Sequence, residues 1–526
     1  MQAAEQPRAS RISAAALLLA ASVLVSRVLG YAREALLAYQ VGAGASTDAY
    51  YAAFQIPDLL NYLLAGGALS IAFLPLYTKH LAAGDESGAD HLLATVLGTL
   101  TAVAALATVL LWWFAEPLIS LQFPRFAPAT QAMTVHLTRI VLPAQIFFIA
   151  GGIINATLFA HGRFGAAALA PLLYNSSIIA GGLLLAPRMA VGVEGFAWGA
   201  LAGSILGPFL APFLYARGRV RMRARFTPFD RVFLAYLIVA APLMFGQTLL
   251  TVDEWYQRWF GALLGAGAVS HLSYARRLMQ VPVAVVGQAI AAAALPTLSR
   301  LFAEGRHGAL NQLVLRTLQT SLALAVLAGA GCFALARPLV ALVYQRGAFG
   351  ADDTAQVAAI LALLCFAVPA WITQQIIARA FYARADTWRP MLLGTVVALA
   401  SIPLYLALGR ADGVRGLAIA SAVGMSVSAV ATLAWARWLH GAPEPRLLLE
   451  TGARAIAVAV PAAFAVRWVA GATPTSTLTA LMDVVGGLAL FAVLSAVGIA
   501  VAGDAPMRGL LRRVSRRGRE RSPAGV

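Results

Sequence analysis

The chain has 526 residues, 60% of them hydrophobic and 12% charged, with a mean hydropathy of +0.78. That composition belongs to a protein that is mostly transmembrane helix and excludes a soluble domain of useful size. The net charge of +17 collects in loops and a tail on one side of the membrane, which makes it an orientation signal in the first place and a nucleic-acid surface only as the less favoured reading.

Apolar runs of about 20 residues, the length that spans a bilayer core, recur along the chain and predict an all-α polytopic membrane protein of about fourteen transmembrane helices. They fall near 13–41, 48–79, 91–115, 130–160, 164–187, 192–216, 232–262, 269–301, 310–336, 354–383, 389–409, 414–439, 448–470 and 477–502. The first run has the charge order of a signal peptide, with Arg8 and Arg11 ahead of it, but it is too long and contains Arg27 and Arg33. It therefore reads as an uncleaved first span.

Within that span, Arg27 and Glu34 are seven residues apart and share one helical face, with Gly30 and Tyr31 between them and Arg33 on a neighbouring face. Charge in hydrocarbon costs several kcal/mol, so such a stripe must face a cavity or a partner. Asp48 opens the second span after the turn Gly42-Ala43-Gly44; Pro57, Asp58 and Asn61 follow, then Gly66-Gly67 and Pro75. Helix breaks are expected at Gly30, Gly42, Gly44, Pro57 and Pro75, and in the eighth span at Pro282 and Pro296, because freed backbone groups are tolerated where they line a cavity or find partners.

Arginine marks the cytoplasmic side. It gathers in the even-numbered loops, as Arg217, Arg219, Arg221, Arg223 and Arg225 and as Arg300 and Arg306, and in the tail as Arg508, Arg512, Arg513, Arg516, Arg517, Arg519 and Arg521. Segments 41–47 and 261–270 hold no basic residue. Both termini are therefore expected in the cytoplasm. In the seventh span Glu254 and Arg258 are spaced to pair at i,i+4 beside Asp253. Arg276 and Arg277 of the eighth have no acid at helical spacing and require an anion or a partner from elsewhere.

Enzymatic signatures are missing. Lys79 is the only lysine, so no phosphate-binding G-x-x-x-x-G-K-[ST] loop exists, and neither H-E-x-x-H nor G-x-S-x-G occurs. No catalytic residue, cofactor or metal site is expected, and Cys332 and Cys365 read as small apolar core residues. The chain does repeat itself. A shift of 225 places Tyr31 on Tyr256, Arg33 on Arg258, Gln55 on Gln280 and Pro57 on Pro282; a shift of 221 then places Leu74-Pro75 on Leu295-Pro296, Lys79 on Arg300, Ala82 on Ala303 and Gly84 on Gly305. Two pseudo-symmetric six-helix lobes are expected, at 1–216 and 232–440, joined by a basic linker at 217–231 and followed by two extra helices at 441–503 and a basic tail at 504–526. Parallel repeats of this kind hold substrate between lobes in known transporters.

At these residues the chain resembles the MurJ (MviN-type) lipid II flippases of the multidrug/oligosaccharidyl-lipid/polysaccharide exporter superfamily. The resemblance runs through 26–35, 42–50 and 72–75, through Ala168-Leu169-Ala170-Pro171 with Asn175, through Tyr274 to Met279 with Pro282, and through Leu295-Pro296, Arg346 to Phe349 and Ala380 to Arg384. It implies a bacterial cytoplasmic (inner) membrane carrier that moves lipid II, an undecaprenyl-pyrophosphoryl disaccharide-pentapeptide, to the outer leaflet by alternating access for cell wall synthesis. Membrane phospholipids and the cell wall synthesis machinery are the other partners it implies. Arg27, Arg33 and Arg277 are then the substrate arginines, Glu34 and Asp48 the acids that hold them, and Asn61, Asp253, Arg258 and Arg276 supporting polar residues. A pyrophosphate suits guanidinium better than ammonium because the fork can bind two oxygens at once. The last two spans, near span one, would form a groove for the lipid tail.

The chain departs from the family where Asn61-Tyr62 and Gly66 replace an arginine and a glutamate and where Gln280 replaces an acid, and it lacks the eleventh-span acid linked to sodium in some members. Alternatives are a flippase for another polyprenyl-linked oligosaccharide, a drug or cation antiporter of the same superfamily, or an inert scaffold in which the buried arginines would be replaceable.

Overall fold

The computed structural model describes the chain except residues 1–5, 65–71, 219, 250–251, 385, 387, 471–473, 475, 510 and 513–526. Gly66-Gly67, Arg219 and the distal tail arginines lie outside the described residues. Among those described there is no strand. The chain divides into two compact units: Met1–Ser270 with Gly347–Phe349, and His271–Arg346 with Gly350–Val526.

In the first unit, α1 (Gln6–Val41) leads to α2 (Ala45–Ala53), α3 (Gln55–Leu64), α4 (Leu74–Ala82) and the 28-residue α5 (Glu86–Trp113). Then come α6 (Ala115–Gln122), α7 (Pro128–Val141), α8 (Ala144–Ala160), α9 (Gly165–Ala180), α10 (Gly192–Ser204), α11 (Ala211–Ala216), α12 (Arg231–Leu249) and α13 (Val252–Gly261). The second unit holds most of α14 (Ala268–Pro282), then α15 (Ala289–Ala303), α16 (His307–Ala334), α17 (Ala336–Tyr344), α18 (Ala351–Cys365), α19 (Val368–Tyr382), α20 (Trp388–His440), α21 (Pro445–Val469) and α22 (Thr477–Ala502).

Among the described residues nine helices are long and apolar enough to cross a membrane, and the α18–α19 pair, bent by 45°, makes a tenth. α20 is two helices, since Asp412 and Gly413 leave helical geometry and Gly413 has φ 55. The other expected spans correspond to α1, α2–α4 and α12–α13, where charges or interruptions fall inside the apolar run.

The repeat is visible in the elements. α5 and α16 are both 28 residues long, each follows a positive-φ glycine (Gly84, φ 71; Gly305, φ 68), and each leads into a short helix, α6 or α17. A left-handed residue costs an L side chain energy that glycine avoids, which is why the shift of 221 preserves both turns. In the first turn Asp85 caps α5, accepting from the Gly88 amide at 2.8 Å. That bond, with His80 and Ser87, holds its carboxyl below the usual range. The depressed value means the cap stabilises the folded form above the ordinary carboxylate pKa and is lost as pH falls through the depressed one.

The segment 220–230 is not a free linker. It lies along α5: the Arg225 amide donates to Ala94 O at 2.9 Å, the Thr227 amide to Thr99 Oγ1 at 3.1 Å, and Asp230 pairs with His91 at 3.0 Å. A Cβ on Gly98 would sit 2.3 Å from the Arg225 nitrogen. Beyond it, Phe233, Tyr236 and Ala240 of α12 enter the same core as Phe73, Tyr77, Leu92 and Ile153. The first unit therefore continues through α12 and α13, where sequence placed the lobe boundary at the basic segment.

Two expected breaks are absent. α1 is continuous through Gly30, and α15 is continuous through Pro296, whose lost N–H bond the helix tolerates. Most of the other positions lie at helix ends or next to irregular stretches. Gly42 (φ 77) ends α1, Gly44 precedes α2, Pro57 follows the α2–α3 break at Phe54, Pro75 is the second residue of α4, and Pro282 ends α14 ahead of a π-helical stretch, Val283–Gln288.

Glycines recur every fourth residue at Gly195, Gly199, Gly203 and Gly207; Gly199 and Gly203 of α10 and Gly207 of the π-helical stretch after it (Ile205–Leu210) pack against α9, and Gly195 against Gly181 and Ala186 just beyond α9. Added Cβ atoms would lie 2.7 Å from Ser177 O at Gly199, 2.8 Å from Tyr174 O at Gly203 and 2.3 Å from Ala170 O at Gly207. Small residues let helix backbones approach where lipid gives no hydrophobic drive to associate. Gly203→Leu should destabilise the protein by about 3 kcal/mol or more through forced separation of α9 and α10, read as a lower melting temperature in detergent; an unchanged value would exclude this packing.

Candidate functional site

The polar residues of the first unit gather around α1. Arg33 donates to Glu34 Oε1 at 2.6 Å and to Asn175 Oδ1 at 3.3 Å. The other Glu34 oxygen accepts from Tyr51 Oη at 2.6 Å, and Asn175 Nδ2 reaches Ser26 Oγ at 3.2 Å and Pro171 O at 3.0 Å. Glu34 and Tyr51 are buried, while the Arg33 side chain keeps 17% of its surface exposed. Its charge is thus compensated in place without being sealed. α1, α2 and α9 supply the members, and the glycine stripe of α10 fixes α9, which carries Asn175. Arg27, two turns away on α1, is half-buried.

A second ion cluster centres on Arg258. Its guanidinium contacts Glu254 Oε1 at 2.8 Å, the expected i,i+4 pair, and also Asp58 Oδ2 at 3.2 Å from α3. The arginine side chain is 9% exposed between two acids that are 30% and 35% exposed. Asp253 lies partly buried in the same first turn of α13, and Asn61, one turn beyond Asp58, donates to Gln145 Oε1 at 2.9 Å.

Asp48 is fully buried, and its two carboxylate oxygens accept from the amides of Gly267 at 2.6 Å and Ser270 at 2.7 Å. Those amides open α14, where backbone N–H groups point out of the helix and a negative charge is favoured. Nearby sequence landmarks acquire a physical role too. The Ala348 amide donates to Tyr39 O at 2.8 Å, and a Cβ on Gly42 would stand 2.7 Å from Ala348 O. Gly347 (φ 59) has no room for one either, with Tyr39 O at 2.3 Å.

In the second unit Arg276 is buried with its guanidinium 5.3 Å from the centre of the Trp371 ring, a cation–π contact. Arg277, the next residue of α14, is half-buried. His271 faces Asp353 at 3.1 Å, and Asp353 in turn accepts from the Gly350 amide at the start of α18. Cys332 and Cys365 are free thiols, the first half-buried and the second buried.

The structure therefore brings Arg33 together with Glu34, and Arg258 with Asp58 and Glu254, and anchors Asp48 on backbone amides. Sequence reasoning gave no role to Tyr51, Gln145, Asn175, His271, Asp353 or Trp371. Polar residues inside apolar runs were the available signal for Asn175 and Asp58, but periodicity names no partner on another helix. Among the described residues no group of three or more His, Cys, Asp or Glu could hold a metal ion.

Breaking one partner of a buried pair strands the other charge. Glu34→Gln should cost about 3 kcal/mol of stability, more than Tyr51→Phe at about 1 kcal/mol, with non-additive losses in the double variant. Equal melting temperatures for wild type and Glu34→Gln would dismiss the network as a stabilising element. Asp48→Asn should likewise lower the melting temperature, since an amide accepts more weakly from the two backbone N–H groups.

Several known proteins are similar to this chain over most of its length. The family described as lipid II flippase MurJ matches residues 37–502. A probable lipid II flippase MurJ of Rhizobium meliloti (strain 1021) is 30% identical over 490 residues, covering 87% of this chain and 88% of its own. The lipid II flippase MurJ of Burkholderia cenocepacia is 31% identical over 387 residues, covering 70% and 72%. Among solved structures, a lipid II flippase MurJ in an inward closed conformation superposes with a TM-score of 0.78 at 22% identity, over 92% of this chain and 99% of that one. An inward-facing MATE family transporter of the MOP superfamily gives 0.68 at 16%, over 81% and 98%. With a family match across most of its length and a fold shared with both kinds of transporter, the chain belongs to the MurJ lipid II flippase family.

Proposed function

We propose that this protein moves lipid II from the inner to the outer leaflet of the bacterial cytoplasmic membrane by alternating access, as a multi-pass transporter with both termini in the cytoplasm and fourteen crossings. The observation that carries the reading is Arg33, an incompletely buried guanidinium inside the first long helix, held in place by Glu34 and Asn175. A lipid-linked pyrophosphate needs cations that stay charged and fixed within a low-dielectric site, and a guanidinium oriented by an acid and an amide meets both needs. Arg27 and Arg277 would add cationic contacts to the headgroup. Asp253, Asn61, Arg258 and Arg276 act as supporting polar residues, and Glu34 and Asp48 as the acids whose partners change between states.

Arg258 is better suited to structure than to substrate, because two carboxylates already share its charge. The two lobes of the repeat would close alternately around the cargo, with the last two helices accommodating the polyprenyl tail. The accessible part of the Arg33 network is the guanidinium, 17% exposed, while its acid Glu34 is 4% exposed, which favours an anionic cargo over the cationic drugs that acid-lined and aromatic-lined sites take.

The test is outward exposure of lipid II in bacteria depleted of their own flippase. Expression of this chain should restore it, and Arg33→Ala or Arg277→Ala, with membrane levels verified, should reduce it by about tenfold, the loss of roughly one charge-assisted contact. No restoration by a membrane-inserted wild type would reassign the cargo to another polyprenyl-linked glycan. Transport in proteoliposomes should also respond to an imposed potential, since each charge moved through the full field is worth about 2.3 kcal/mol per 100 mV; indifference would rule out a net movement of the cavity charge.

A further inference from the structure

A cavity of about 500 Å³ opens in the second unit at one end of α16, α17, α18 and α21. Ala355, Ala358, Ala359 and Ala362, at helical spacing on α18, help form an apolar wall, and Arg337, Arg467 and Trp468 supply the polar and amphipathic residues. Trp468 is 87% exposed at the rim, and the Arg467 guanidinium lies 5.2 Å from the centre of the Phe333 ring, which fixes its direction.

Helix length sets the depth. At the other end of α16, Asn311 accepts from Arg384 at 2.7 Å and donates to His440 O at 2.9 Å. From Asn311 to Ala334 is roughly 35 Å of helix, and from Pro445 to Arg467 along α21 roughly 33 Å, at 1.5 Å per residue. A bilayer hydrocarbon core is about 30 Å thick. The cavity therefore lies at the headgroup level opposite the basic face, which is the outer leaflet on the orientation proposed above. Tryptophan belongs at that level.

The internal repeat gives an independent indication that the cationic charge is more than a feature of the helix. At the shift of 221, Ala115-Glu116-Pro117-Leu118 of α6 aligns with Ala336-Arg337-Pro338-Leu339 of α17. Both segments form the same short helix, so its formation is compatible with either sign of charge. A cationic residue stands only in the copy beside this cavity and Arg467.

We propose that the cavity is a binding site for an anionic phospholipid of the outer leaflet, with the phosphate between Arg337 and Arg467 and the first acyl carbons against the alanine wall. Two guanidinium groups neutralise one phosphate, Trp468 lies at the glycerol level, and the alanines leave space that larger side chains would fill. A bound lipid would bridge α17, α18 and α21 and stiffen that end of the unit.

Native mass spectrometry of the full-length protein tests this, with phosphatidylglycerol and phosphatidylcholine of identical acyl chains as probes. Wild type should retain one additional phosphatidylglycerol at concentrations where phosphatidylcholine is lost. Arg337→Ala with Arg467→Ala should weaken that retention about tenfold, whereas Arg446→Ala, on the exposed opposite end of α21, should leave it intact. Ala359→Trp, which keeps both arginines but fills the cavity, should weaken it as well. Equal retention of the two lipids, or retention insensitive to both sets of substitutions, would overturn the proposal. Displacement of the retained lipid by undecaprenyl pyrophosphate, but not by excess phosphatidylcholine, would instead give the site to the cargo. None of these readouts uses transport, so a failure here is distinguishable from a failure of the flippase reading.

Discussion

An ionised side chain inside a membrane has to be compensated where it stands, and that constraint organises this protein. Arg33 is tolerable because Glu34 and Asn175 receive its hydrogen bonds, and Glu34 because Tyr51 takes its other oxygen. Arg258 is tolerable because acids from its own helix and from α3 share it. Arg276 uses the face of Trp371. Each solution draws on at least one element distant in sequence or a neighbouring helical turn, so packing comes first and charge placement follows from it.

The packing is in turn a matter of small residues. Gly199 and Gly203 let α10 lie against α9 at backbone contact, and α9 delivers Asn175 to α1. Gly98 does the same for the docked segment around Arg225, and Gly42 and Gly347 for the approach of Ala348 to Tyr39. In lipid, close contact of this kind substitutes for the hydrophobic drive available in water. The polar networks thus rest on positions that carry no chemistry.

The two kinds of buried charge have different consequences. Arg258 sits between two carboxylates, an arrangement suited to holding helices, whereas Arg33 has one carboxylate and one neutral amide and keeps some accessible surface. Positions 33 and 258 correspond under the internal repeat, and the side chain is 17% exposed in one copy and 9% in the other.

Sequence alone determined the class, the internal repeat and the identity of the charged residues, because hydropathy over about 20 residues and the cost of buried charge are local properties of the chain. The i,i+4 pair of Glu254 and Arg258 was legible for the same reason. Local rules also misled: Gly30 and Pro296 looked like breaks, yet surrounding helix geometry carried α1 and α15 through them. Tertiary structure alone decided that Asp58 joins Arg258, that Asn175 and Tyr51 complete the Arg33 network, that Asp48 ends on backbone amides, and that the basic segment 220–230 is docked along α5. Those partners are brought together from tens to hundreds of residues apart, and periodicity along one helix holds no information about which face of another helix will meet it.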